Sequence, residues 1–389
     1  MRIVFIAESF PTSAKVDVTG GVETRDWYVA YYLAKQHQVT VVTTARAGFP
    51  NREKIRGIEV IRVGNAVESS KRETVFTRLS FVLGCVTTVS DLEFDLIQGS
   101  NVVTQAIAAF IGQQMHKPIV ALIPDIFIGV WIKNTGLITG LIGEILEPWV
   151  LKQPWDAVIS WSSSTTQKLL DKKISADRIS TIPGGVDVTF INEKQIAKRK
   201  LPTVITAARL VSYKRLDALI DAIALLSKKY PQISLNIMGD GPEKDSLKRR
   251  AIAKNIDNRV QFMGQVSSYA TVIKTMKSAH IFSLPSEVEG FGLATLEACA
   301  CGLPYVNVDI PATHEVTKNG KGGILVPHAD SQAIAEALDE LLKNKKLYNT
   351  KVREAVQLAR IYDWSVCVKK TEKIFKKITN QSATSSVRH

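Results

Sequence analysis

The stretch LPSEVEGFGLATLEACACG, residues 284–302, joins a short apolar run to a helical pattern through a glycine-rich turn. The run before it, HIFSL at 280–284, has the β-branched and aromatic character of a buried strand and ends at Pro285. A helix is expected to begin near Gly292 or Leu293. Glycines let backbone approach a ligand closely, and the free amides of a helix N-terminus attract anions and sugar oxygens. Two acids flank this turn, Glu289 before Gly290-Phe291-Gly292 and Glu297 about one helical turn beyond it. Helical side chains tilt towards the N-terminus, so the Glu297 carboxylate points back at the same loop. Carboxylates accept hydrogen bonds from vicinal hydroxyls, and two of them beside a glycine loop suit a ligand with two sugar rings. Taken alone, the pair reads equally as a turn residue and a solvated helix position.

The same strand–turn–helix unit recurs along the chain. Strand candidates in the first half are 2–7, 38–44, 58–63, 94–98, 118–123 and 156–161; in the second they are 203–207, 233–238, 259–263, 280–284 and 304–308. Runs apolar on both faces suit buried parallel strands, and helical stripes such as Leu216, Leu219, Ile220, Ile223 and Leu226 lie between them. The expected class is α/β, with two Rossmann-like doubly wound domains facing a cleft. The break falls in the charged stretch FINEKQIAKRKLP, 190–202, which gives domains at 1–190 and 191–363. Open α/β sheets bind ligands beyond the carboxyl ends of their strands.

Charge divides the two halves. Residues 1–192 hold 19 Lys+Arg against 18 Asp+Glu, whereas the remainder holds 31 against 19. A basic second half suits an anionic ligand. Neither zinc-finger spacing nor an RNA-binding aromatic motif accompanies it, so nucleic acid is not the expected partner. Arg209 closes a strand in AARLVSYKRLDALI, 207–220, and Lys214 falls at or before the next helix, with Arg215 as its near-equivalent competitor. Two cations at a strand end fit a diphosphate. Gly20-Gly21, after the first strand, occupy a phosphate-binding position without the GxGxxG pattern. Asp125 follows the strand PIVALI within apolar sequence and is a candidate cleft acid, or else a cap for the next segment.

Cys85, Cys299, Cys301 and Cys367 form no CxxC pair and read as packing residues of a cytosolic protein. No DxD or HExxH occurs and the histidines lack ligand spacing, so no metal is expected. The first residues show no signal-peptide pattern, and the longest apolar run, 119–132, is short of the ~20 residues that cross a bilayer. Two stretches point instead to a membrane surface. KRETVFTRLSFVLGCV, 71–86, carries Lys71, Arg72 and Arg78 beside an apolar run, and FIGVWIKNTGLITGLIGEILEPWVL, 127–151, carries Trp131 and Trp149. Both stretches also read as ordinary core helices.

GGVE, IPGGVD (182–187), ARLVSYKR, IMGDGPEKDSLKR (237–249), VQFMGQV (260–266), PSEVEGFGLATLEA (285–298) and GGILVP (322–327) occur in one order along nearly the whole chain. Together they resemble the GT-B glycosyltransferases of family 4, the large retaining group. The resemblance implies a metal-independent, retaining hexosyltransferase with no cofactor, moving a sugar from a UDP- or GDP-linked donor to a hydroxyl acceptor. It implies Glu297 on the ribose, Arg209 and Lys214 on the diphosphate, and Glu289 with the backbone of Phe291, Gly292 and Leu293 on the transferred sugar. Gly20 and Gly21 would approach the phosphates, Asp125 would join the catalytic set, and a last helix near 364–380 would pack on the first domain. Pro124 stands where the family often has a histidine, and Pro311-Ala312 where it often has paired glycines. The expected acceptor is a lipid-linked glycan or glycolipid reached from the cytoplasm, peripherally at the membrane face. The competing readings are a soluble acceptor, a non-catalytic nucleotide-sugar-binding subunit, and an epimerase on the same architecture.

Overall fold

The structure is a computed structural model and describes residues 1–12, 21–67, 75–132, 136–266 and 268–386. The chain divides into two compact units, Met1–Gly184 with Trp364–His389, and Gly185–Asp363.

The first unit holds an eight-stranded sheet: β1 (Arg2–Ala7), β2 (Gln38–Arg46), β3 (Arg52–Ile55), β4 (Ile58–Val67), β5 (Leu96–Gly99), β6 (Ile119–Ile123), β7 (Ala157–Ser160) and β8 (Ile179–Thr181). Their spatial order is β3-β4-β2-β1-β5-β6-β7-β8. All neighbours are parallel except β3, which returns antiparallel on β4 as an edge hairpin. Central strands such as β6 are buried at every position, as a sheet covered on both faces requires. On one face Val4 and Ile6 join a core with Phe81, Cys85, Ile107, Ile111 and Val150, drawn from the helices Val75–Ser90, Val102–Gln114 and Leu137–Leu151. On the other face Phe5 meets Phe375 of the helix Trp364–Ser386, with ring centroids 6.3 Å apart. Tyr28, on the helix Gly21–Leu33, stacks on Trp364 at 5.1 Å. His37 lies between the chain's amino terminus and Glu372, 2.9 Å from that carboxylate, and so ties the start of β2 to the last helix. The last helix is thus an integral layer of the first unit.

The second unit holds six parallel strands: β9 (Thr203–Ala207), β10 (Ser234–Met238), β11 (Val260–Gly264), β12 (Ile281–Leu284), β13 (Tyr305–Val308) and β14 (Gly323–Val326), in the order β11-β10-β9-β12-β13-β14. The strand order reverses between β9 and β12, which places a ligand-binding switch point at their carboxyl ends. The stripe Leu216, Leu219, Ile220, Ile223 and Leu226 is buried on the helix Leu216–Ser227, each side chain contributing about 1.5–3 kcal/mol by leaving water. Close backbone approach explains one motif. At Gly239 φ is +130°, and a Cβ there would stand 1.8 Å from the Ala208 carbonyl oxygen. The loop after β10 lies directly against the segment that carries Arg209, and only glycine admits it.

Eleven strands match the sequence expectation to within a few residues. The three additional ones, β3, β8 and β14, are three or four residues long and have edge or near-edge places. Such runs are too brief to show a period.

Candidate functional site

The switch point of the second unit gathers residues far apart in sequence. β9 and β12 pair through Val204 with Ile281 and Ile205 with Phe282, so the segments that follow them emerge side by side. After β9 the chain passes Arg209, whose side chain is exposed and makes no ion pair with a described residue. A 3-10 turn, Ser212–Lys214, then brings Lys214 Nζ to 2.6 Å from Glu289 Oε1. Both side chains are mostly buried, at 12% and 16% exposure, so this pair feels a lower dielectric than a surface pair. Ser286 Oγ donates to the same Glu289 oxygen at 3.0 Å.

Arg215 takes a different partner. Its backbone is left-handed at φ +49°, and its guanidinium pairs with Glu287 and Asp217. Sequence left Lys214 and Arg215 as competitors; the backbone conformation separates them, one to each of two alternate acids. Glu287 N also donates to the Tyr213 carbonyl at 2.9 Å, which closes the turn onto the glycine loop.

The glycine loop ends at Gly292, left-handed at φ +91°, where the helix Leu293–Ala300 begins. Phe291 is buried and packs edge-on against Tyr362 at 5.7 Å. Behind the loop, the Asn307 side chain accepts from Leu284 N at 3.0 Å and donates to Thr295 Oγ1 at 2.9 Å. This buried amide fixes the helix start to the end of β12; Thr295 N and Leu296 N donate to the Gly292 carbonyl, which leaves the amides of Leu293 and Ala294 to face a ligand. Glu297 is partly exposed on that helix and accepts from the Tyr269 hydroxyl; burial pushes its carboxyl up to about 7.

That shift has a signed consequence. An acid raised to about 7 is neutral at pH 6 and ionised at pH 8, and only the ionised form offers all its lone pairs to two hydroxyl donors. Donor affinity should therefore rise from pH 6 to pH 8. Glu297→Gln should flatten that dependence and raise the donor KM about 10–100-fold, the worth of roughly 1.5–3 kcal/mol for a hydrogen bond to a charged group. Stability runs the other way, because the native state holds this proton more tightly than the unfolded chain. The contribution is present below the unfolded carboxyl value and is lost as pH rises through about 7. Titration calorimetry at three pH values reads the first effect and thermal melts the second; a Glu297→Gln profile parallel to wild type would remove the assignment.

Gly21 and Asp125 belong to the first unit. Gly21 opens the helix Gly21–Leu33, while Gly20 lies outside the described residues, as do Lys71 and Arg72. Asp125 lies two residues beyond β6, within the loop that follows it, and is paired with Lys168 Nζ at 2.7 Å, while its Oδ1 also accepts from Ile126 N. It therefore resembles a cap as much as a free acid. Beyond it the chain Phe127–Ile132 is held by two carboxylates that sequence did not single out. Glu147 accepts from the Phe127 amide and the Trp131 indole, and Glu144 from the amides of Gly129 and Trp131. Glu147 is buried, which raises its carboxyl above the usual range. All four cysteines are buried and free. Among the described residues no cluster of His, Cys, Asp and Glu has the makings of a metal site.

Two parallel-sheet units of this topology define the GT-B class of glycosyltransferase folds. Two family models cover most of the chain: Glycosyltransferase Family 4 matches residues 19–190 and Glycosyl transferases group 1 matches residues 187–357. The chain belongs to the family 4 GT-B glycosyltransferases. A phosphatidyl-myo-inositol mannosyltransferase from Mycobacterium leprae is 31% identical over 207 residues, covering 52% of this chain and 54% of that protein. The chain spans about half the length of the curated relatives it matches. Among solved structures, a sucrose-phosphate synthase from Thermosynechococcus elongatus superposes with TM-score 0.79 at 19% identity, covering 98% of this chain and all of that one. Anabaena Alr3699/HepE in complex with UDP-glucose gives 0.72 at 20% identity over 99% and 100%.

Proposed function

We propose that this protein transfers a hexose, with retention of anomeric configuration and without a metal, from a UDP- or GDP-linked donor to a hydroxyl acceptor. The observation that carries the reading is the Lys214–Glu289 pair beyond the carboxyl ends of β9 and β12, with Arg209 exposed two residues after β9. A diphosphate entering there meets Arg209 as a bidentate donor and draws Lys214 from its carboxylate partner. Glu289, released from Lys214, accepts from the sugar hydroxyls, and Glu297 accepts from the ribose.

In the reaction the bond between C1 and the diphosphate oxygen breaks as the acceptor oxygen bonds to C1 from the same face. The departing diphosphate gains negative charge and takes the acceptor's proton. Arg209 and Lys214 stabilise that charge, where fixed charges contribute most. Glu289 orients the sugar and is not a nucleophile.

The acceptor we infer is a lipid-linked glycan or glycolipid at the cytoplasmic membrane face, where the protein is peripheral. The mycobacterial relative's description as a phosphatidyl-myo-inositol mannosyltransferase supports that class, and the UDP-glucose complex of the Anabaena neighbour supports a nucleotide-sugar donor. Among the described residues no helix is long and apolar enough to cross a membrane. The test is nucleoside diphosphate release from a panel of UDP-, GDP- and ADP-sugars, with and without membrane lipid extract. One donor turned over faster with lipid is expected. Binding without release from any donor would move the protein to the non-catalytic class.

A further inference from the structure

Helices on a soluble protein's surface turn polar residues outward; the helix Leu137–Leu151 does the reverse. Its exposed residues are Leu137, Ile138, Leu141, Ile142, Ile145 and Trp149, with Thr139 the single polar one; Ile138 and Ile145 are 70% and 75% exposed. The inward side is built from small residues. A Cβ on Gly140 would stand 2.4 Å from the Ile132 Cα, and one on Gly143 the same distance from the Trp131 ring. The segment Phe127–Ile132 therefore lies flat on this helix and adds exposed Phe127, Val130 and Ile132.

The neighbouring helices continue the surface. Val75–Ser90, Val102–Gln114 and Leu137–Leu151 pack side by side on one face of the sheet, and the first two expose Phe76, Leu79, Leu83 and Phe110. These helices run to 16, 13 and 15 residues, yet their only charged residues are Arg78, Glu144 and Glu147. Both acids are spent on the amides of the Phe127–Trp131 segment. What remains on the three helices is an apolar face whose one further charge is Arg78; exposed Lys152 follows the last helix and exposed Asp91 the first. An apolar face of this breadth, with aromatic residues and the bases Arg78 and Lys152, fits the interfacial layer of an anionic bilayer.

We propose that this three-helix face seats the protein on an anionic lipid bilayer, with Ile138, Ile142, Ile145 and Trp149 entering the headgroup–acyl boundary. Glu144 and Glu147 are positioning residues: they dock the segment behind Asp125 on the seated helix, so the Asp125 loop takes its place from the membrane-bound element. The surface deepens the lipid-acceptor reading and rests on it for its purpose, but its test does not depend on transfer.

The full chain is sedimented with phosphatidylcholine vesicles containing or lacking phosphatidylglycerol, without any nucleotide sugar. Binding to the anionic vesicles is expected, with the bound fraction falling at least tenfold in Ile138→Glu/Ile145→Glu. The double variant's melting temperature and lipid-free donor hydrolysis report whether it has folded. Should it not fold, the wild-type protein answers the same question: acyl-brominated lipids should quench its fluorescence, and Trp149→Phe should remove that quenching. No sedimentation with either vesicle overturns the proposal. So does a dimer in light scattering that the substitutions dissociate without any vesicle binding, since a second copy would then cover the face. Vesicle binding with no donor turnover would keep the surface and remove the enzymatic reading; turnover of a soluble acceptor without vesicle binding would do the opposite.

Discussion

Glu289→Ala should lower turnover of the nucleotide sugar about a thousandfold, a loss of roughly 4 kcal/mol of transition-state stabilisation. Free nucleoside diphosphate should bind the same variant as tightly as wild type, or more tightly. The asymmetry follows from the ion pair. In the structure Glu289 Oε1 holds Lys214 Nζ at 2.6 Å with Ser286 on the same oxygen, so a diphosphate must compete with a carboxylate for the lysine. Removing that carboxylate frees the cation for phosphate and at the same time takes away the acceptor for the sugar hydroxyls. Steady-state nucleotide release and calorimetry with the free diphosphate read the two effects separately. A variant within tenfold of wild-type turnover would show that Glu289 serves only to hold Lys214.

Arg209→Ala should cost about a hundredfold to a thousandfold in kcat/KM, with most of the loss in kcat. Its guanidinium is exposed at the end of β9 and makes no ion pair with a described residue, so the loss would come from the charge it supplies to the departing diphosphate and not from a broken structural contact. Arg209→Lys should recover part of the rate only, because an ammonium cannot bind two phosphate oxygens in the fork geometry. Melting temperature should stay within a degree or two of wild type, as expected of an exposed residue. A rise in KM alone, or a matching fall in stability, would assign Arg209 to ground-state binding or to the fold.

The roles of the two neighbouring cations illustrate what a linear reading can and cannot resolve. Lys214 and Arg215 are adjacent and chemically alike, and nothing in their spacing decides between them. The left-handed backbone at Arg215 turns the two side chains to different acids of one loop, Glu289 and Glu287. Glu144 and Glu147 leave no mark in the sequence for a related reason. Acids at i and i+3 on a helix ordinarily read as a solvated face, and their partners are backbone amides, which every residue carries. Tyr269 was equally silent, since its hydroxyl reaches Glu297 from a helix that sequence does not connect with the glycine turn.

The sequence by itself determined the alternation of strand and helix, the class, and the turns where glycine is required. Local periodicity and backbone sterics act over a few residues and leave their mark there: the helix start at Leu293 was legible, whereas the close approach at Gly239 was not. The motif order along the chain likewise carried the family. Tertiary structure alone decided which side chains meet. The pairing of β9 with β12 brings Lys214 to Glu289 across 75 residues, and the packing of three helices on one sheet face turns separate apolar runs into one exposed surface. Strand order and helix packing follow from how the whole core closes, and a contact made that way leaves no period in the sequence.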